Sequence, residues 1–154
     1  MSGSWPPEDF PDLNESNHNK TSEATVECNC LSWAADDVSR RWEPDPMHDY
    51  YWPPDVPREM KMEAFIQAYR TIGYEVCDTP EPQAGFEKIA LYADADNTPT
   101  HAAKQLPNGH WSSKLGDFED IEHATLACLE GPLYGKSKIY MKRRSRPNLF
   151  TFPV

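Results

Sequence analysis

FEKIALYADADNTPTHAAKQLPNGHWSSKLG, residues 86–116, decides the fold. In FEKIALYAD the residues Ile89, Leu91 and Ala93 point one way, and Lys88, Ala90 and Tyr92 the other, which is the period of a strand. ADNTP is a turn. THAAKQL is a second strand, PNG a tight-turn signal, and HWSSKLG a third strand. The segment predicts an antiparallel meander of three strands.

Outward from the meander the period changes. Upstream, REMKMEAFIQAYRTI (Arg58–Ile72) sets Met62, Phe65, Ile66, Tyr69 and Ile72 on one helical face, with Gly73 fitted to close the helix. YEVC then reads as a short strand. LSWAADDVSRRW (Leu31–Trp42) repeats the helical spacing at Leu31, Ala34, Ala35, Val38 and Trp42. Asn29 is placed to cap that helix, so Cys30 falls in its first turn, and Pro44 ends it. Residues 43–57 are rich in Trp, Tyr and Pro and read as a clasp that packs aromatic faces over the core. Downstream, DFEDIEHATLACLEG has an Asp cap, acids in its first turn and a terminal Gly, and predicts a helix. SKIYMKRR predicts a closing strand. The order gives an α+β fold, N-terminal helices packed on a small antiparallel sheet.

The chain has 154 residues, enough for one domain with a real core. Residues 1–24 are polar, acidic and aperiodic, and predict a disordered tail before a single domain over 25–154. The net charge is -10. Residues 1–60 carry thirteen acids and four bases. Nucleic-acid binding needs a cationic footprint, so no nucleic-acid partner is expected. The one basic run, GKSKIYMKRRSRPN, reads as a solvated edge strand guarded by its charges, with phosphate contact the alternative. The start MSGSWPPEDFPD has no basic segment followed by an apolar one, and no apolar run approaches a membrane span, so a cytoplasmic protein without membrane contact is expected. The four cysteines, Cys28, Cys30, Cys77 and Cys128, are then expected to be reduced.

Cys30 and His101 carry the chemistry that the sequence suggests. The thiolate is the reactive form of cysteine, and a helix start favours it. An imidazole nearby serves as base, and a third polar group orients that imidazole. Cys30 opens a helix, and His101 opens a strand of the meander. Each also has a structural reading: Cys30 as a buried small side chain, His101 as a hydrogen-bonded strand residue. His110 is expected to be exposed beside the PNG turn, and His123 to lie in the first turns of a helix. Ser113 and Lys114 are candidates for a cleft, although Lys114 also fits a stem lying over Trp111. A zinc set of Cys28, Cys30, Cys77 and His101 lacks the usual ligand spacing, so no metal is expected. P-loop, GxGxxG, HExxH and GxSxG motifs are absent from the sequence, and no cofactor is expected.

NCLSWAADD, FEKIALYAD, THAAKQLPNGHWSSKLGDFEDIEH and GPLYG together resemble an uncharacterised bacterial domain family spanning the chain from about Cys28 onward. KIALYADADNTPTHAAKQ is also similar to the paired core strands of the NlpC/P60 amidases and their papain-like relatives. That resemblance implies a papain-like fold with Cys30 as nucleophile and His101 within its reach. It leaves two registers open. In one, the base position falls on Glu87 or Lys88 and His101 takes the orienting position. In the other, His101 is the base, and the third group comes from near Ser113, with Asp117 or Asp120 beyond.

Two functions follow as expectations. One is a cysteine hydrolase or acyltransferase acting on an amide, isopeptide or thioester bond, with Cys30, His101 and Ser113 in the catalytic centre. Trp33, Lys88, Trp111 and Lys114 would then bind a peptide or protein substrate. The other is a non-catalytic acidic binding or immunity-type module, with the loop at Tyr50, Tyr51 and Trp52 as its contact surface.

Overall fold

The computed structural model describes residues 7–22, 28–115 and 120–145. Its elements in chain order are β1 (His18–Ser22), α1 (Cys30–Ala34), α2 (Met62–Arg70), β2 (Glu75–Cys77), β3 (Phe86–Ala93), β4 (Pro99–Gln105), β5 (Trp111–Lys114), β6 (Asp120–His123) and β7 (Lys136–Arg144). All seven strands join one sheet in the order β1-β6-β5-β4-β3-β7-β2, with every pairing antiparallel.

The expected meander is present as β3, β4 and β5, but the fold around it differs from expectation. Two short helices accompany a seven-stranded sheet, so this is a sheet protein and not a papain-like α+β fold built on N-terminal helices. The helix expected over Leu31–Trp42 is only Cys30–Ala34. Asn29 does cap it, in a box where Asn29 Oδ1 accepts from Ser32 N–H and Ser32 Oγ accepts from Asn29 N–H. Asp36 then turns left-handed (φ 62°), and the Asp37 carboxylate takes the Ser39 N–H and the Trp42 indole N–H, so local side-chain bonds replace the next helical turns.

DFEDIEHATLACLEG is not a helix either. Residues 117–119 lie outside the described segments; Asp120–His123 form β6, and Leu126–Leu129 make one 3₁₀ turn. Ile121 and His123 alternate with Asp120 and Glu122, and the period of two wins because β5 and β1 pair with both sides of this strand. The N-terminal segment also has structure. β1 pairs with β6 at the sheet edge, and Phe10 is buried against Tyr134 at 5.2 Å between centroids. The basic strand β7 lies between β3 and β2, not at an edge.

The sheet is covered on both faces. Ile89, Leu91, Ala102 and Met141 face α1, α2 and the Trp/Tyr loop. Ala90, Tyr92 and Ala103 face Phe10, Trp111, Leu129 and Tyr134. The loop is a clasp: Trp42 stacks on Tyr69 at 5.9 Å, and Trp52 leans on Phe65 at 5.4 Å. Tyr69 OH donates to Leu31 O at 2.8 Å, which ties α2 to α1. No helix among the described residues is long and apolar enough to cross a membrane.

Candidate functional site

Three neighbouring strands place three polar side chains in a diagonal line on one face of the sheet. His101 lies on β4 opposite Tyr92. Ser113 lies on β5 opposite Ile121, and His123 lies on β6 opposite Trp111. Diagonal neighbours on one face are within reach of long side chains. His101 Nε2 is 3.0 Å from Ser113 Oγ, and Ser113 Oγ is 2.8 Å from His123 Nε2. His123 Nδ1 ends the line 2.8 Å from the Thr125 carbonyl oxygen. All three side chains are fully buried, at 0% exposure.

The end of the line fixes every proton in it. A carbonyl only accepts, so His123 Nδ1 carries a proton and donates. Burial holds the His123 pKa at about 4, well below the usual imidazole value, so at neutral pH its Nε2 is a bare acceptor. Ser113 therefore donates its hydroxyl proton to His123. Its oxygen then accepts from His101, whose single proton must sit on Nε2. His101 is neutral too, because burial and then the nearby His123 push its pKa down. What remains is the lone pair on His101 Nδ1, buried and without a hydrogen-bond partner. Tyr134 stacks flat on this ring at 4.2 Å and 7°, and Tyr92 meets it edge-on at 5.3 Å.

Cys30 approaches from the helical side. α1 rests on β4 and β5, with Trp33 Nε1 donating to Ser112 Oγ at 3.0 Å and the Lys104 ammonium 4.8 Å over the Trp33 ring. The residue is half-buried. Burial raises its thiol pKa to about 11, and the backbone N–H groups of Ala102, Leu31 and Cys30 and the Arg41 charge oppose that rise without cancelling it. The expected thiolate at a helix start is not the resting state: α1 is five residues long, and desolvation outweighs its N–H groups. One of those groups, the Ala102 N–H, belongs to the residue after His101. No hydrogen bond joins Cys30 to His101 in this resting arrangement.

The other sequence candidates separate. Trp111 is buried in the second core face. Lys114 is fully buried on β5 opposite Asp120 of β6, which places Asp120 with Lys114 and not with His101. Asp117 lies outside the described residues. Glu87 pairs with Arg143 at 3.2 Å, and Lys88 donates to the Thr79 carbonyl at 2.9 Å, so neither occupies a base position beside Cys30. Tyr51 and Trp52 are committed to packing, leaving Tyr50 as the exposed ring of that loop. Among the described residues no group of three His, Cys, Asp or Glu side chains is arranged to hold a metal ion. Sequence reasoning missed His123, which it placed on a helix. The signal was the alternation of Ile121 and His123 with Asp120 and Glu122.

Fold and site together define a two-faced antiparallel sheet protein with a half-buried cysteine against its helical face and a buried imidazole–hydroxyl–imidazole line on the other. The chain belongs to the family described as a domain of unknown function, DUF7689, whose model matches residues 19–142. No curated protein and no solved structure matches it. The uncharacterised family expected from the sequence is thus found, while no match to the NlpC/P60 amidases is found.

Proposed function

We propose that the protein is a cysteine-dependent hydrolase or acyltransferase acting on an amide, isopeptide or thioester bond. One observation carries the reading: the line from Thr125 O through His123 and Ser113 leaves His101 with a bare Nδ1, one residue before Ala102, whose N–H favours the Cys30 thiolate. A general base needs a fixed tautomer with its lone pair free, and an orienting partner on the other nitrogen supplies it. The local likeness of KIALYADADNTPTHAAKQ to the NlpC/P60 strands belongs to this reading as chemistry, not as fold.

In the proposed reaction Cys30 Sγ attacks the substrate carbonyl as its proton passes to His101 Nδ1. His101 returns that proton to the leaving amine or thiol, which departs and leaves an acyl-cysteine. Water or an acceptor amine then releases the acyl group, with His101 taking its proton and passing it to the departing Cys30 sulfur. Ser113 and His123 act as positioning residues. The step requires Sγ, packed with the helical core, and Nδ1, on the ring that faces the second core with Tyr92 and Tyr134, to come within hydrogen-bond reach as the substrate binds. The acidic surface favours a neutral or cationic substrate.

The test is alkylation of Cys30 by iodoacetamide against pH, read cysteine by cysteine by mass spectrometry, in wild type and His101→Ala. With His101 as base, the wild-type rate levels off above the imidazole pKa. In the variant it climbs with pH toward a thiol pKa of about 11 and is at least about a hundredfold slower at neutral pH, the scale of general-base assistance. Equal rates in both proteins would refute the reading. That result favours the second one, a non-catalytic acidic binding or immunity-type module, whose supporting observation is that His101 has no exposed surface.

A further inference from the structure

Past the end of β4, a cavity of about 600 Å³ opens between β3, β4 and the loop at Pro82–Gly85, lined by residues from both faces of the sheet. Its volume suits a small organic ligand. Phe86, Leu106 and Pro107 give it apolar walls, and Lys88 and Lys104 border it from opposite faces of the sheet.

Lys88 is the unusual member. It is only 4% exposed. Its ammonium donates to one neutral group, the Thr79 carbonyl oxygen, and among the described residues no carboxylate lies within ion-pairing distance of it. A buried charge without a counter-charge is strongly disfavoured. Lys104, by contrast, is paired with Asp36 at 2.6 Å, and Glu87 with Arg143. Lys142 and Arg144 lie over the Phe86 ring, at 4.6 and 5.6 Å from its centroid. Five cations therefore gather around a cavity whose wall holds two carboxylates, in a chain of net charge -10. The one basic stretch of the sequence converges on this place, because β7 runs beside β3 inside the sheet.

We propose that this cavity binds a small organic anion, its carboxylate or phosphate on Lys88 and its planar apolar body against Phe86, Leu106 and Pro107. The site is independent of Cys30 and stands whether or not the cysteine is catalytic.

The test is a titration of the isotope-labelled full chain, followed by amide chemical shifts, with benzoate, phenyl phosphate and, as the uncharged control, benzyl alcohol. Saturable shifts are expected at residues 83–88 and 104–107 with at least one anion and not with the alcohol. Lys88→Met and Lys88→Gln should each weaken the anion at least tenfold. Phenyl phosphate tighter than benzoate identifies a phosphate ligand, and the reverse order a carboxylate. Three results overturn the proposal: no saturable shift in the wild type with either anion, equal shifts with the alcohol, or undiminished affinity in a folded Lys88 variant. Should both variants fail to fold, the wild-type contrast between anions and alcohol decides alone.

Discussion

Replacing Ser113 by Ala removes one oxygen from the middle of the buried line and leaves two partners behind. His101 Nε2–H loses its acceptor at 3.0 Å, and His123 Nε2 loses its donor at 2.8 Å. Both rings are fully buried, so neither finds water in exchange. A buried group left unsatisfied costs about 1–3 kcal/mol, so two make the expected loss roughly 2–6 kcal/mol. In a chain of this size that lowers Tm by roughly 5–20 °C. Ser112→Ala is the control: Ser112 accepts a single bond from the half-buried Trp33 indole, and its loss should cost no more than about 1 kcal/mol. Urea unfolding at pH 7 measures both. Nitrogen-15 spectra of the imidazoles measure the cause. In the wild type, His101 should carry its proton on Nε2 and His123 on Nδ1; in Ser113→Ala the His101 preference should relax toward a mixture. A loss below about 1 kcal/mol, within the range of ordinary surface changes, or a wild-type His101 protonated on Nδ1, would refute the proton assignment and the function built on it.

Acid should destabilise the fold through the same histidines. Their native pKa values lie below the unfolded one of 6.5, so the stability they contribute is complete above pH 6.5 and is lost as pH falls through the native values; for His123, near 4, this amounts to about 3 kcal/mol. A urea midpoint that stays flat from pH 7 to 4 would contradict it, and His123→Gln should reduce the slope. Phe10→Ala should cost about 3–5 kcal/mol, as a buried aromatic does, where a residue in a loose tail would cost next to nothing; urea unfolding separates the two. Gly135→Ala should prevent folding, visible as lost near-UV circular dichroism. Gly135 sits at φ 73°, exchanges two backbone hydrogen bonds with Gly131, and a Cβ there would collide with the Ala93 carbonyl.

What the sequence disclosed is what local chemistry dictates. The alternation in FEKIALYAD, the Asn29 cap and the amphipathic face of α2 each follow from neighbours a few residues apart, and each is present. The errors arise where distant partners decide. DIEH sits in a run with an acidic start and a glycine end, and only its ladders to β5 and β1 make it a strand. The N-terminal segment is acidic and aperiodic, yet Phe10 finds an aromatic pocket and His18–Ser22 finds an open strand edge. Cys30, His101 and Ser113 stood out because a nucleophile, a base and an orienting group have recognisable types. His123 did not, since its role rests on a diagonal contact across two strands.

Burial also decides how the proposed chemistry must proceed. A thiol with a pKa of about 11 beside an imidazole held below its usual value keeps its proton, so a preformed thiolate–imidazolium pair is not the resting state. Raising the thiol by about two units from its ordinary value costs about 3 kcal/mol of thiolate stability, before the matching cost at the imidazole. Proton transfer becomes feasible when the electron pair on sulfur is taken up by a carbonyl carbon as the proton leaves. The imidazolium then forms against an oxyanion rather than alone, and opposite charges in a low-dielectric site stabilise each other. The proton transfer and the attack are therefore coupled, and the acid limb of the acylation rate should follow the imidazole of His101 rather than the thiol. A Cys30 that titrates as a free thiolate near pH 7, insensitive to His101, is incompatible with that sequence of events.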